Sequence, residues 1–204
     1  MTGLGKLERL GTGTVLVVVD MQRLFAERTE WHVPSMSTIV PTIRRLAEHR
    51  PLATFFTRFV TAPSAHGARG RWRQYYDRWS SVTLDRMPHA MLDIVEDLAP
   101  LAAAETVCDK TTYSAFADGS LPGLLDVRSV DTLILAGVET DVCVLATALD
   151  AVDLGYRVVV AKDAVASSSE AGHRATLDAV LPRFDMQVDI ASADEILAAW
   201  EGNG

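Results

Sequence analysis

Three side chains able to do chemistry stand at or just beyond the ends of apolar runs. Asp20 closes TVLVVVD (14–20), Lys110 closes ETVCDK (105–110), and Cys143 follows DTLILAGV (131–138). Together they offer a thiol nucleophile, a carboxylate able to take its proton and return it to a leaving group, and an ammonium that favours anions. Cys143 falls in the first turn of a helical pattern whose N-cap is expected at Thr140 or Asp141. The unbonded amides and positive dipole end there favour thiolate, and the Lys110 charge adds to that. The same amides could hold the oxyanion of a tetrahedral intermediate. Singly, each residue has a plainer explanation: a small buried cysteine, an acid ending a strand, a solvated lysine. Gathered at one sheet edge, the three point to catalysis.

The elements that must gather them are legible as apolar runs separated by helical patterns. TVLVVVD, PLATFFTRF (51–59), ETVCDK, DTLILAGV, YRVVVAKDA (156–164) and FDMQVDI (184–190) predict six strands. Most are continuously apolar, which predicts a parallel sheet buried on both faces, an α/β three-layer α/β/α sandwich. Sites in such sheets lie outside the carboxyl ends of the strands. Ile39, Ile43, Leu46 and Ala47 share a helical face, with Pro41 expected to make that helix start shortly before it. A second helix is expected near 89–99, and a third through Val142, Leu145, Ala146, Leu149 and Val152, closed by Gly155. Ser167 with Glu170, and Ser192 with Glu195, predict capping boxes for the last two helices. Residues 60–87 form a stretch too long for a plain connection, and such stretches are commonly lids or binding loops.

The 204 residues are 49% hydrophobic and 23% charged, enough for one sizeable core, so a single domain over 1–204 is expected. A formal net charge of -8 opposes any broad nucleic-acid or membrane footprint and favours a small-molecule substrate. MTGLGKLERLGTG has no apolar signal core, and a cytoplasmic location is expected. Two cysteines give no disulfide framework and too few thiolates for a structural zinc site.

Three motifs carry a family resemblance: VVVDMQRLF around Asp20, DKTTYSAF around Lys110 and AGVETDVCVLATALDAVDLGYRVVVAKDA around Cys143. Over roughly residues 13–192 the chain resembles the isochorismatase-like cysteine hydrolases, which include nicotinamidases, N-carbamoylsarcosine amidases and isochorismatases. The resemblance implies a Rossmann-like six-stranded parallel sheet with the isochorismatase-like hydrolase fold. It implies Asp20 as general base and acid, Lys110 as the charge that supports the thiolate, and Cys143 as nucleophile. It also implies a cis Val138–Glu139 peptide, oxyanion donors at the Glu139 and Cys143 amides, and a homo-oligomer, dimer or tetramer. Metal-dependent relatives place an Asp and two His after the second strand. Here TRFVTAPSAHGARGRWRQYYDRW offers only His66, so no metal and no cofactor are expected.

That segment interleaves Arg58, Arg69, Arg71, Arg73 and Arg78 with Phe59, Trp72, Tyr75, Tyr76 and Trp79. Stacking on nucleic acid would use such a pattern, but the acidic chain disfavours it. A pocket wall fits better, and a surface or subunit interface is an equal alternative. Phe25, Arg58, Trp72 and Tyr76 are the expected substrate-binding residues, while Cys108 is read as a valine-like core residue. The expected function is metal-independent hydrolysis of a C–N bond in a small amide-like molecule through a thioester acyl-enzyme. One alternative is vinyl-ether hydrolysis with Asp20 as acid. Another is a non-catalytic binding or thiol-sensing protein on the same scaffold.

Overall fold

The apolar runs assemble into a six-stranded, wholly parallel sheet in a computed structural model of the chain, which describes residues 7–119 and 121–200. Its strands are β1 (Thr14–Val19), β2 (Thr54–Phe59), β3 (Val107–Lys110), β4 (Thr132–Val138), β5 (Arg157–Ala166) and β6 (Val188–Ala191). The helices are α1 (Arg23–Ala26), α2 (Met36–His49), α3 (Trp72–Arg78), α4 (Leu121–Val127), α5 (Leu145–Asp153), α6 (Glu170–Ala175) and α7 (Ala193–Trp200). Strand order is β3-β2-β1-β4-β5-β6, so the chain winds outward in one direction from β1 and in the other from β4. The right-handed crossovers that such connections take then put helices on both faces. Every residue of β1 and β4 is buried, as expected for central strands covered on both sides.

Helix α2 covers β1, β4 and β5 with a face made of Met36, Ile39, Val40, Ile43, Leu46 and Ala47. Each such side chain contributes about 1.5–3 kcal/mol when fully removed from water. Pro41 lies inside α2, further from its start than the sequence suggested. At the other end of the Cys143 segment, Tyr156 N–H bonds Ala151 O and Gly155 N–H bonds Val152 O, both at 3.0 Å. Gly155, at φ +90°, completes this Schellman turn without the penalty that a Cβ would bring.

Two expected features differ. Residues 89–99 form no α-helix; Ala99–Leu101 and His89–Leu92 are single 3₁₀ turns. The chain between them is drawn out along the segment after β1: Arg23 N–H bonds Asp93 O at 2.9 Å and Val95 N–H bonds Met21 O at 3.0 Å. These bonds satisfy backbone groups that a helix would have bonded internally. Likewise, Ser192 and Glu195 form the expected capping box at 2.7 and 3.3 Å, but Ser169, not Ser167, caps α6 by accepting from Gly172 N–H at 3.0 Å. Ser167 is used at the site instead.

β1 and β4 approach closely at the centre of the sheet, where Val19 pairs with Gly137. Gly137 has φ +111°, and a Cβ on it would lie 2.1 Å from the Val19 carbonyl oxygen, so only glycine fits.

Candidate active site

The winding direction reverses between β1 and β4, which makes the crevice beyond their carboxyl ends the natural place for a ligand. Asp20 follows β1 with φ +52°, a left-handed conformation that Asp tolerates better than most residues. Its side chain is fully buried. Oδ1 accepts from the Thr57 hydroxyl of β2 at 2.7 Å, and Oδ2 lies 2.7 Å from Lys110 Nζ. Lys110 reaches across from β3, donates to the Thr112 carbonyl at 3.0 Å, and sits 4.7 Å above the Phe59 ring. The Cys143 thiol completes the group, interacting with both the Asp20 carboxylate and the Lys110 ammonium. Three residues from three strand ends therefore meet in one buried cluster.

Burial works against the Lys110 ammonium, but Asp20 and Cys143 outweigh it and hold its pKa above the ordinary lysine value. For Cys143 the balance runs the other way. Burial and the adjacent Asp20 charge push the thiol well above its ordinary pKa, and Lys110 offsets only part of this. The helix end and Lys110 favour thiolate, as the sequence suggested, but desolvation in the closed site opposes them, and one ammonium already shared with Asp20 returns only part of that cost.

Cys143 lies in a π-helical turn, Thr140–Val144, that leads into α5, and the N-cap is Glu139, one or two residues earlier than expected. The Val138–Glu139 peptide is cis. This corner is anchored from the segment before α6. The Glu139 carboxylate accepts from Ser167 Oγ at 3.0 Å, Ser168 N–H at 2.8 Å and Ser168 Oγ at 2.5 Å. Ser167 Oγ also reaches Asp141 at 2.5 Å, and Thr140 Oγ1 meets His173 Nδ1 at 2.8 Å. Both acidic side chains beside Cys143 are therefore held by hydroxyl and amide donors.

A cavity of about 50 Å³ abuts the thiol, lined by Phe25, Trp31, Phe59, Tyr75, Tyr113, Glu139, Val142 and Cys143. Phe25 is thus one wall of the cavity. Trp72 and Tyr76 form the layer behind, stacked on each other at 6.0 Å and bordering a neighbouring cavity of about 830 Å³. Burial pushes the Tyr76 phenol up to about 12. Arg58 is not brought to the cluster. Strand side chains alternate, so Arg58 faces away from Thr57 and Phe59, and its guanidinium forks onto its register partner Asp109 at 2.7 and 2.9 Å. Cys108 is buried in register with Thr57. Among the described residues, no three His, Cys, Asp or Glu side chains converge as a metal-ligand set.

Sequence reasoning missed Trp31, Tyr113, Thr57 and Gln22. Buried Gln22 ties the loop after Asp20 to β2, accepting from Phe59 N–H at 2.7 Å and donating to Phe59 O at 3.2 Å and Leu92 O at 3.0 Å. Its place two residues beyond Asp20 was the available signal. Trp31 lies in a polar loop and had none.

Among the described residues no helix is long and apolar enough to cross a membrane. The solved cysteine hydrolase from Pseudomonas syringae pv. phaseolicola 1448A superposes with a TM-score of 0.77 at 25% identity, covering 98% of each chain. Nicotinamidase 3 of Arabidopsis thaliana is 30% identical over 190 residues, 92% of this chain and 89% of that one. Maleamate amidohydrolase of Pseudomonas putida is 40% identical over 82 residues, 40% of this chain and 38% of its own. Residues 14–192 match the Isochorismatase domain family, and the chain belongs to that family of hydrolases.

Proposed function

We propose that the protein is a cysteine amidohydrolase that cleaves a C–N bond of a small molecule through a thioester, with Cys143 as nucleophile. The observation that carries this is the contact of one thiol with a buried carboxylate and ammonium, all at the switch point of the sheet. Asp20 takes the thiol proton as Sγ attacks the substrate carbonyl carbon. The resulting oxyanion sits against the amides of Glu139 and Cys143, and losing one such donor costs about 3–4 kcal/mol of barrier. Asp20 passes the proton to the nitrogen, the C–N bond breaks and the amine leaves. Asp20 next deprotonates water, whose oxygen displaces Sγ from the acyl carbon, and the proton returns to sulfur. Lys110 keeps its proton throughout and balances whichever of Asp20 and Cys143 carries the negative charge. The amide-cleaving names among the relatives support the C–N class over a vinyl ether.

Rapid acid quench of turnover on a carboxamide panel, followed by intact-mass measurement, tests the mechanism. A mass increase equal to the acyl group, absent in Cys143→Ala, is expected. Undiminished turnover by Cys143→Ala would sink it.

A further inference from the structure

Three consecutive residues ahead of Cys143 are gripped from one segment, 167–173, that contributes nothing to the reactive trio. The Glu139 carboxylate accepts from Ser167 Oγ at 3.0 Å, Ser168 N–H at 2.8 Å and Ser168 Oγ at 2.5 Å. Fully buried Thr140 has its hydroxyl 2.8 Å from His173 Nδ1. Asp141 Oδ1 lies 2.5 Å from Ser167 Oγ, which itself accepts from Ser169 N–H at 3.2 Å. The Ser167 hydroxyl has one proton for two carboxylates, and the shorter contact, to Asp141, takes it.

Gly172 shows how close the fit is. A Cβ there would lie 1.8 Å from Asp141 Oδ2 and 2.6 Å from Asp141 Cγ, so any side chain would have to displace that carboxylate. Gly172 N–H also donates to Ser169 Oγ at 3.0 Å, the cap that fixes where α6 begins. The turn on the other side of these contacts, Thr140–Val144, is π-helical. It departs from the i→i−4 bonding that would fix the direction of its amides in an α-helix. Bonds from outside the turn must therefore help to set where the Glu139 and Cys143 amides point.

We propose that Ser167 and His173 are positioning residues for the reaction at Cys143: acting through Glu139, Asp141 and Thr140, they hold the turn whose Glu139 and Cys143 amides receive the oxyanion. This rests on the proposed thioester mechanism. Neither side chain is among the described residues that line the cavity at the thiol, so their loss slows the chemical step and leaves substrate binding as it was. The experiment is steady-state kinetics on whichever of acetamide, benzamide and the three pyridinecarboxamides the native protein cleaves fastest. Ser167→Ala and His173→Leu should each lower kcat about ten- to a hundredfold, the scale of a small misplacement of oxyanion donors, with KM nearly unchanged. His173→Asn, whose amide can take the place of Nδ1 against Thr140, should recover most of the loss. Gly172→Ala should lower kcat as well. The Gly172→Ala/Asp141→Ala double variant should lose no more than Asp141→Ala alone, because the added methyl acts through that carboxylate. Iodoacetamide labelling of Cys143 displaces iodide from a saturated carbon and builds no oxyanion, so its rate should barely change in the same variants. Native kcat in Ser167→Ala and His173→Leu overturns the proposal, as does a loss confined to KM or to the melting temperature. A fall in labelling that matches the fall in kcat also overturns it, because the segment would then govern access to the thiol. Cys143→Ala separates the two readings. Turnover that survives it defeats the thioester mechanism and removes the reaction this segment serves, whereas turnover lost there but kept in both variants defeats the positioning role alone.

Discussion

Replacing Lys110 with methionine keeps the length of the side chain and deletes its charge. In the native protein Nζ lies 2.7 Å from Asp20 Oδ2, with the two side chains 1% and 0% exposed. At that separation the attraction is about 6 kcal/mol for an effective dielectric constant of about 20. Part is returned because no ammonium need be dehydrated, which leaves a net loss of about 3–5 kcal/mol, the usual penalty for orphaning one member of a buried pair. The orphan is Asp20, left with two uncharged donors, the Thr57 hydroxyl at 2.7 Å and the Cys143 thiol. A buried lone carboxylate takes up a proton more readily than it stays ionised. Between pH 5 and 8 the folded variant would then hold a proton that its unfolded chain has released, so stability must fall as pH rises. For a chain of this size each kcal/mol moves the midpoint by about 2–4 °C, so calorimetry should show a drop of about 10 °C at pH 8 and a smaller one at pH 5. The Asp20→Asn/Lys110→Met double variant, with both charges gone, should recover about half of the loss or more. A midpoint within about 2 °C of the native one at pH 8, or a deficit that does not shrink at pH 5, would refute the buried-pair account.

Two further outcomes follow from single atoms. Gly137→Ala should fail to give a cooperatively folded protein by circular dichroism and size exclusion, since its Cβ would sit 2.1 Å from the Val19 oxygen between the two central strands. A native-like melt in that variant would mean that the strands can separate at little cost. Because burial and Asp20 hold the Cys143 thiol above its ordinary pKa of 9.0, iodoacetamide labelling followed by intact mass should be slow at pH 7 and still accelerating above pH 9. Asp20→Asn, by removing the second cause, should speed it, and a rate that levels off near pH 7 would contradict this order of effects.

What could be read in advance depended on how local the signal was. β1 and β4 announce themselves because central parallel strands are apolar on both faces, and Asp20 and Lys110 stand at strand ends with Cys143 in the turn that follows β4. Arg58 was misplaced because its neighbours Thr57 and Phe59 do face the site, and only the β2–β3 register shows that Asp109 claims the guanidinium. Residues 89–99 have helical composition, yet their backbone bonds go to the segment after Asp20, a partner distant in sequence. Ser167 has the spacing of a capping box, but Glu139 and Asp141 offer it acceptors that no local pattern reveals. Trp31 and Tyr113 enter the pocket from separate loops, and loop paths are set by tertiary packing.

Strand order explains why the cation is a lysine. Lys110 ends β3, and β2 separates that strand from β1, so the ammonium must cross two strand spacings, about 10 Å between backbones, to reach Asp20. A flexible four-carbon stem spans this together with the aspartate side chain, and the aromatic face of Phe59, the register partner of Lys110, lies beneath its ammonium on the way. Thr57, two residues before Phe59 and hence on the same face of β2, meets the carboxylate from the same side. β2 contributes no member of the reactive trio, yet it fixes the distance and angle between two of them. The geometry of the buried Asp20–Lys110 pair is therefore as sensitive to the β1–β2–β3 register as to the identities of the two residues, since a slip of one residue would turn Thr57 and Phe59 to the opposite face.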